Sequence, residues 1–253
     1  MTVEPFAAGT SFVHRLDPRV KIVSALCLAM VTAAGNRLGI LGLALLVGLV
    51  LVSLARLRLL PVAGRLLGVN VFLLLLWCIL PFSYPGRPLL TLGPLTASYE
   101  GVRYAFTITL KSNAIILAMI ALLATTPTFS LVHGLWHMRM PVKLVQLLFF
   151  TFRYFHVMHQ EYLRLRGAMR VRCFKARTNG HTYRSLAYLV GMLLVRSFDR
   201  SERIYQAMLC RGFQGRFWVL NHFTLRAVDL VFLGVMVLVA LGMAVGHWTN
   251  LIG

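Results

Sequence analysis

Apolar residues gather in five runs along the chain, each close to the length of a membrane span. The runs lie at about 20–35, 38–55, 66–82, 104–124 and 227–246. A helix that crosses a membrane needs about 20 mostly apolar residues, with about 17 tolerated. The pattern therefore predicts about five transmembrane helices. Asp17 and Pro18 precede the first run as an N-cap and a first-turn proline precede a helix.

The stretch of about one hundred residues between the fourth and fifth runs has a different pattern. It holds two shorter apolar patches, 144–152 and 186–195, each flanked by an arginine. Patches of this length favour helices that pack on each other or lie along the membrane surface. A seven-span topology that uses both patches is the alternative. Thr178-Asn179-Gly180 is a strong turn signal, so we predict two helices, about 155–175 and 183–211, joined at that turn.

Composition and charge place the chain in a membrane and orient it. The 253 residues are 58% hydrophobic, with 26 Lys+Arg against 7 Asp+Glu and a formal net charge of +19. A soluble domain of this length could not bury so much apolar surface. Short basic loops stay in the cytoplasm, and the basic residues of the short loops divide unevenly between the two sides of the membrane. The side that holds the N-terminus has Arg15, Arg19, Lys21, Arg56, Arg58 and Arg65, and the other side has Arg37, Arg87 and Arg103. We therefore expect a cytoplasmic N-terminus and an external C-terminus.

The predicted fold class is all-α, an integral membrane protein with about five transmembrane helices and a cytoplasmic helical hairpin. We divide the chain into a membrane domain with four spans (1–124), a cytoplasmic segment (125–226), and the fifth span with the C-terminus (227–253). The loop 82–104 is rich in proline and glycine, which predicts a structured turn region outside the cell. Lys111 lies within the fourth span, where its long side chain can snorkel to the interface; an ion path is the alternative.

One sequence pattern occurs twice in the cytoplasmic segment. Residues 164–174 (RLRGAMRVRCF) and 203–213 (RIYQAMLCRGF) share R-x3-A-M-x2-R-[CG]-F. Arginine, alanine and arginine at positions i, i+4 and i+8 lie on one face of a helix. Alanine lets a partner approach closely, and the guanidinium groups can bind carboxylates or carbonyls. The shared positions are Arg164, Ala168, Met169, Arg172, Cys173 and Phe174 in the first copy, and Arg203, Ala207, Met208, Arg211, Gly212 and Phe213 in the second.

Two similar motifs on two helices, held tens of ångströms apart, suit two similar partner surfaces, such as a dimer of alike subunits. The alternative is that methionine and phenylalanine pack within the protein and that the arginines form a solvated basic face. Because an internal repeat carries more information than a single short motif, we favour a partner surface.

Other classes of function have less support in the sequence. The basic residues belong to partly apolar helices beside a membrane and to no recognisable RNA or DNA module, although anionic lipid can take some of the charge. Glu161, Asp199 and Glu202 form no carboxylate pair, so no catalytic site is predicted. His156 and His159 lack an evident third ligand, so no metal site is predicted. The chain has no GxxxxGK[ST], so a partner must bind any ATP.

With these features the sequence resembles the transmembrane, or T, component of energy-coupling-factor (ECF) transporters. The resemblance rests on His14–Lys21 (HRLDPRVK), on the spans, and on the two arginine motifs, which match the short Ala-Arg-Gly-type motifs of that family. It is closest to the CbiQ type, which implies cobalt uptake for cobalamin synthesis. A transporter for nickel or a vitamin would have a very similar T component. A basic membrane protein that binds anionic lipid or nucleic acid through its cytoplasmic helices is the alternative from another class.

The resemblance implies a non-catalytic subunit of the bacterial inner membrane, with coupling helices that link two ABC-type ATPase subunits to a substrate-capture membrane protein. Its implied partners are those proteins and membrane lipid, with no nucleic acid. The chain would bind no cofactor, because ATP and Mg²⁺ belong to the ATPases. Family motifs dock in grooves of the two ATPases, which assigns that contact to Ala168, Met169, Arg172, Cys173, Phe174, Ala207, Met208, Arg211, Gly212 and Phe213, with Arg164 and Arg203 in support. Cys173 stands where the family has glycine.

Overall fold

Nine helices and two short strands make up the part of the chain that the structure, a computed structural model, describes: residues 6, 9, 11–92, 95–138, 140–215 and 226–248. In chain order they are α1 (Phe12–Arg15), α2 (Pro18–Ala34), α3 (Leu38–Leu54), α4 (Leu59–Ser83), β1 (Pro88–Leu92), β2 (Leu95–Ser98), α5 (Tyr99–Leu122), α6 (Thr128–His137), α7 (Val142–Val171), α8 (Gly180–Cys210) and α9 (Ala227–Trp248). The predicted all-α class is confirmed, with one small hairpin added. β1 and β2 pair antiparallel within the predicted turn region 82–104.

The chain folds into two compact units. The first comprises residues 1–138 and 223–253, and the second comprises residues 139–222. The first unit holds α1–α6, the hairpin and α9, whereas the second holds α7 and α8. The bounds 125–226 that the sequence predicts for the cytoplasmic segment stay a prediction.

Each of the five predicted spans coincides with a helix: α2, α3, α4, α5 and α9. Of these, α4, α5 and α9 are long and apolar enough to cross a membrane, and α3 is a shorter apolar helix of 17 residues. α2 also has 17 residues and begins as predicted, with Pro18 in its first turn and the Asp17 carboxylate accepting from the Arg19 N–H at 2.9 Å. α4 starts at Leu59, earlier than the predicted span at 66–82, and includes Arg65. The Arg65 guanidinium lies 4.4 Å from the centre of the Phe6 ring.

α5 is the central helix of the first unit and packs against α2, α3 and α4, while α9 packs against α2. A small residue permits the closest approach. A Cβ added to Gly48 of α3 would lie 3.0 Å from the Leu117 Cβ and 3.3 Å from the Ala114 carbonyl oxygen of α5. Such close contact between backbones is a common way for helices to associate in a membrane, where no hydrophobic effect drives them together.

Polar side chains add specific links between the apolar helices. Asn70 of α4 and Asn113 of α5 exchange amide hydrogen bonds of 3.2 and 3.0 Å. Lys111 of α5 donates from Nζ to the Ala33 carbonyl oxygen at 2.9 Å and to the Asn36 Oδ1 at 2.7 Å. Both acceptors lie where α2 ends, so the ammonium satisfies a carbonyl left open at a helix C-terminus. The predicted snorkelling of Lys111 stays a prediction.

Candidate functional site

The two helices that carry the repeated motif are long. α7 has 30 residues and α8 has 31. α7 begins at Val142, well before the predicted start at about 155, because the apolar patch 144–152 continues into the basic half of the helix without a break. α8 begins at Gly180 after the N-cap Asn179, inside the predicted turn. Both apolar patches are therefore parts of the helices that bear the motifs.

The end of α7 is a defined hydrogen-bonded turn. The Phe174 N–H donates to the Met169 carbonyl at 3.1 Å, and the Cys173 N–H donates to the Arg170 carbonyl at 3.0 Å. This pair of bonds is the Schellman motif, in which the residue after the C-cap takes the left-handed conformation. Arg172 is the C-cap, and Cys173 has a φ of 57°. The helix therefore ends four residues before the predicted position 175.

α8 ends in the same way. The Phe213 N–H donates to the Met208 carbonyl at 3.0 Å, and the Gly212 N–H donates to the Leu209 carbonyl at 2.9 Å. Arg211 is the C-cap, and Gly212 has a φ of 79°. The two copies of the motif are thus one structural element made twice. Cys173 adopts the conformation that Gly212 adopts, although its side chain makes that conformation more costly.

Aligned positions of the two copies also have the same exposure. Met169, Met208, Phe174 and Phe213 are half-buried, whereas Arg164, Ala168, Arg172, Cys173, Arg203, Ala207, Arg211 and Gly212 are exposed. The methionine and the phenylalanine occupy the two positions that commonly touch in a Schellman motif. The half-buried methionine and phenylalanine are therefore placed to pack within the turn, whereas the shared arginine and alanine form the exposed face.

Arg172 and Arg211 have no ion-pair partner among the residues that the structure describes. Arg164 differs from its counterpart Arg203, because its Nη1 lies 3.4 Å from the Glu161 Oε2. The structure thus brings the predicted residues together within each helix end. Their contact with a partner stays a prediction.

Glu161 of α7 is the centre of an ion network that the sequence analysis missed. Its side chain is buried and accepts a hydrogen bond from the Arg196 guanidinium of α8, and its Oε2 lies 3.9 Å from the Arg200 Nη2. The hydrogen bond from Arg196 holds the pKa of Glu161 below its usual value against the opposing effect of burial, and the charges of Arg196, Arg164 and Arg200 act in the same direction. Arg196 and Arg200, at i and i+4 on one helix face, were the signal available in the sequence.

The Glu161–Arg196 contact marks where α7 and α8 cross. From there α7 continues for about 15 Å to Val171 and α8 for about 21 Å to Cys210, at 1.5 Å per residue. The linker 172–179 spans at most about 30 Å. α8 begins at Gly180, about 24 Å before the crossing. If the end of α7 and the start of α8 lay on opposite sides of the crossing, they would be about 39 Å apart, which the linker is too short to span. The two C-terminal ends must therefore diverge, up to about 36 Å apart.

The conformation of Cys173 leads to a prediction about the end of α7. Cys173→Gly should stabilise this turn by up to about 1 kcal/mol, because glycine adopts a positive φ without steric cost. We expect the Phe174 amide to exchange with solvent up to about fivefold more slowly, measured by hydrogen exchange. Gly212→Ala is the matched reverse change, since an added Cβ there meets nothing within 4 Å and only the φ opposes it. Faster exchange in Cys173→Gly would contradict this account.

Several proteins similar to this chain are named as transport proteins. The sequence model of the CbiQ family, described as cobalt transport protein, matches residues 9–220. The cobalt transport protein CbiQ of Rhodobacter capsulatus is 30% identical over 135 residues, 53% of this chain and 55% of the relative. Nickel permease LarQ of Lactiplantibacillus plantarum is 29% identical over 205 residues, which cover 80% of this chain and 68% of the relative. The energy-coupling factor transporter transmembrane protein EcfT of Bacillus subtilis is 24% identical over 228 residues, 85% of each chain. The match to the Rhodobacter protein thus spans about half of that protein's length.

Proposed function

The chain belongs to the CbiQ family of cobalt transport proteins, and from this premise we propose that it is the transmembrane energy-coupling subunit of an ECF-type ABC importer. It links two cytoplasmic ATPase subunits to a substrate-capture protein in the bacterial inner membrane. The observation that carries the proposal is the pair of matching helix ends on α7 and α8. Two like surfaces suit two like partners.

Each helix end offers the same chemistry to an ATPase. The exposed Ala168 and Ala207 leave room for close approach, and Arg172 and Arg211 present guanidinium groups at the C-caps. A guanidinium binds carboxylates and carbonyls with charge-assisted hydrogen bonds. When the two ATPases move relative to each other, they act on two diverging ends of one crossed pair, so the motion is transmitted through the crossing at Glu161. The chain itself holds no cofactor in this mechanism, because ATP and Mg²⁺ are bound by the ATPases.

Co-purification tests the class of function. A tagged chain, expressed with its neighbouring genes, should retain two ATPase subunits and a second membrane protein through purification in mild detergent. Two alike subunits are expected because the two helix ends are alike. Recovery of anionic lipid or RNA without an ATPase would instead support the alternative, a basic membrane protein that binds these through its cytoplasmic helices.

Cobalt ions are the proposed substrate, with nickel or a vitamin as the alternative. The description of the family and the name of the Rhodobacter relative support cobalt, whereas the name of the Lactiplantibacillus relative supports nickel. Uptake of radioactive Co²⁺ by cells should require this chain together with its partners, and excess Ni²⁺ should compete weakly. The purified chain alone should bind Co²⁺ only weakly. Tight binding by the isolated chain would place the capture site in this protein and contradict the proposed division of labour.

The orientation of the spans is also a proposal, with the N-terminus in the cytoplasm and the C-terminus outside. Single cysteines at positions 58 and 87, in a chain whose four native cysteines are replaced, test it. Both positions are exposed. An impermeant thiol reagent should label position 87 in intact cells and position 58 only after permeabilisation. Labelling of position 58 from outside would reverse the orientation.

A further inference from the structure

A buried polar cluster lies on one turn at the start of α2. The Lys21 side chain is 0% exposed, and its Nζ donates to the Thr126 Oγ1 at 2.9 Å. One turn earlier, the Asp17 N–H donates to the Asp229 Oδ1 at 3.1 Å. Asp17 and Asp229 are both buried, and the Asp229 Oδ2 also accepts from the Arg226 N–H at 3.0 Å. Residues 100 or more positions apart thus meet within the first unit.

The two segments that α2 binds are those through which the chain leaves the first unit and returns to it. Thr126 lies two residues before α6, after which the chain passes into residues 139–222. Asp229 lies in the first turn of α9, just after the chain has come back. α6 also packs on the same turn of α2, since a Cβ added to Gly134 would lie 3.3 Å from the Pro18 Cβ. One helical turn of α2 therefore binds the chain at Thr126, before it enters residues 139–222, and at Asp229, after it has left them.

The cluster is stiff for a physical reason. Ionised side chains away from water are held by their partners, and displacement of one partner leaves a buried charge without compensation. Lys21 offers one ammonium, and the two carboxylates of Asp17 and Asp229 lie close enough to act on it electrostatically. If residues near Thr126 or Asp229 are displaced, the cluster therefore resists local rearrangement, and α2 is displaced with them.

We propose that Asp17, Lys21 and Asp229 form an anchor that ties the chain before α6 and at the start of α9 to the first turn of α2, and that they are positioning residues for coupling. The inference rests on the proposed function, because it assumes that ATPase movement enters the chain through the arginine motifs. An anchor that only supported the fold would lower the amount of complex and change nothing else.

The test measures three quantities on the assembled complex: its yield, its ATP hydrolysis, and radioactive Co²⁺ uptake. Thr126→Val removes the hydroxyl that Lys21 binds and leaves every charge in place. It should keep yield and ATP hydrolysis within twofold of the unmodified complex, and raise the ATP used per Co²⁺ at least threefold. Lys21→Met should raise that ratio at least tenfold. Thr126→Ser, which retains the hydroxyl, is the matched control and should behave as the unmodified chain.

The outcomes separate the inference from its alternatives. A fall of uptake and ATP hydrolysis in parallel, with the ratio unchanged in Thr126→Val, would overturn the anchor and leave a role in folding alone. If Lys21→Met does not accumulate, Thr126→Val against Thr126→Ser decides the question. Failure of the proposed function would show differently, as an unmodified chain that retains no ATPase.

Discussion

Arg172→Glu and Arg211→Glu should each reduce Co²⁺ uptake by about 10-fold to 100-fold, because each would remove the charge-assisted hydrogen bond proposed with an ATPase, about 1.5–3 kcal/mol, and add a repelling charge. The single variants should keep the ATPases bound through the other helix end. The double variant should release them, since neither arginine contact remains. Uptake in cells and co-purification of the ATPases with the tagged chain measure the two effects.

Arg177→Glu is the matched control for these variants. Arg177 is exposed in the linker between α7 and α8. Its backbone N–H donates to the Thr182 Oγ1 at 3.1 Å, and its carbonyl accepts from the Asn179 N–H at 2.9 Å. The same change of charge at this position alters only a screened field, so uptake should stay within about twofold of the unmodified chain. Equal losses at positions 172, 177 and 211 would mean that the segment contributes a diffuse basic charge. Normal transport by both motif variants would remove the arginines from the mechanism.

The spans could be predicted because length and apolarity are properties of a continuous stretch of sequence. The same holds for the helix ends, whose repeated pattern is local. The strands of the hairpin in 82–104 were not predicted, since proline and glycine mark a turn without stating what the turn connects. The predicted start of α7, about 155, was too late. An apolar patch followed by a basic stretch was interpreted as two elements, whereas α7 contains both.

Contacts between distant residues could not be predicted in the same way. The sequence analysis considered Glu161 only as a candidate member of a carboxylate pair, and its ion pair with Arg196 across 35 positions depends on how α7 and α8 cross. Lys21 was counted among the basic residues that set the orientation, yet it is fully buried and bonded to Thr126. Without Lys21, the short loops on the membrane side of the N-terminus still carry more basic residues than those on the other side, so the predicted orientation does not depend on Lys21.

Glu161→Gln should weaken the crossing of α7 and α8 and reduce Co²⁺ uptake by about tenfold, the size of effect expected when a charged hydrogen-bond partner is lost. Without the carboxylate charge, the guanidiniums of Arg164, Arg196 and Arg200 repel one another. The two helix ends would then no longer move as one crossed pair. Faster hydrogen exchange around Glu161 and Arg196, measured on the purified complex, should accompany the loss of uptake.

The pH dependence of the crossing follows from the lowered pKa of Glu161. The network contributes its full stability above the ordinary pKa of a glutamate, about 4.3, and loses it as the pH falls through the lower pKa of the folded protein. Exchange around the crossing should therefore not change between pH 6 and 8 beyond the intrinsic effect of pH, and Glu161→Gln at neutral pH should resemble the unmodified protein in acid. Glu202→Gln, an exposed glutamate on α8, makes the same change of charge and should affect neither exchange nor uptake. If the two glutamine variants behave alike, the crossing is held by apolar packing and the ion network is incidental to coupling.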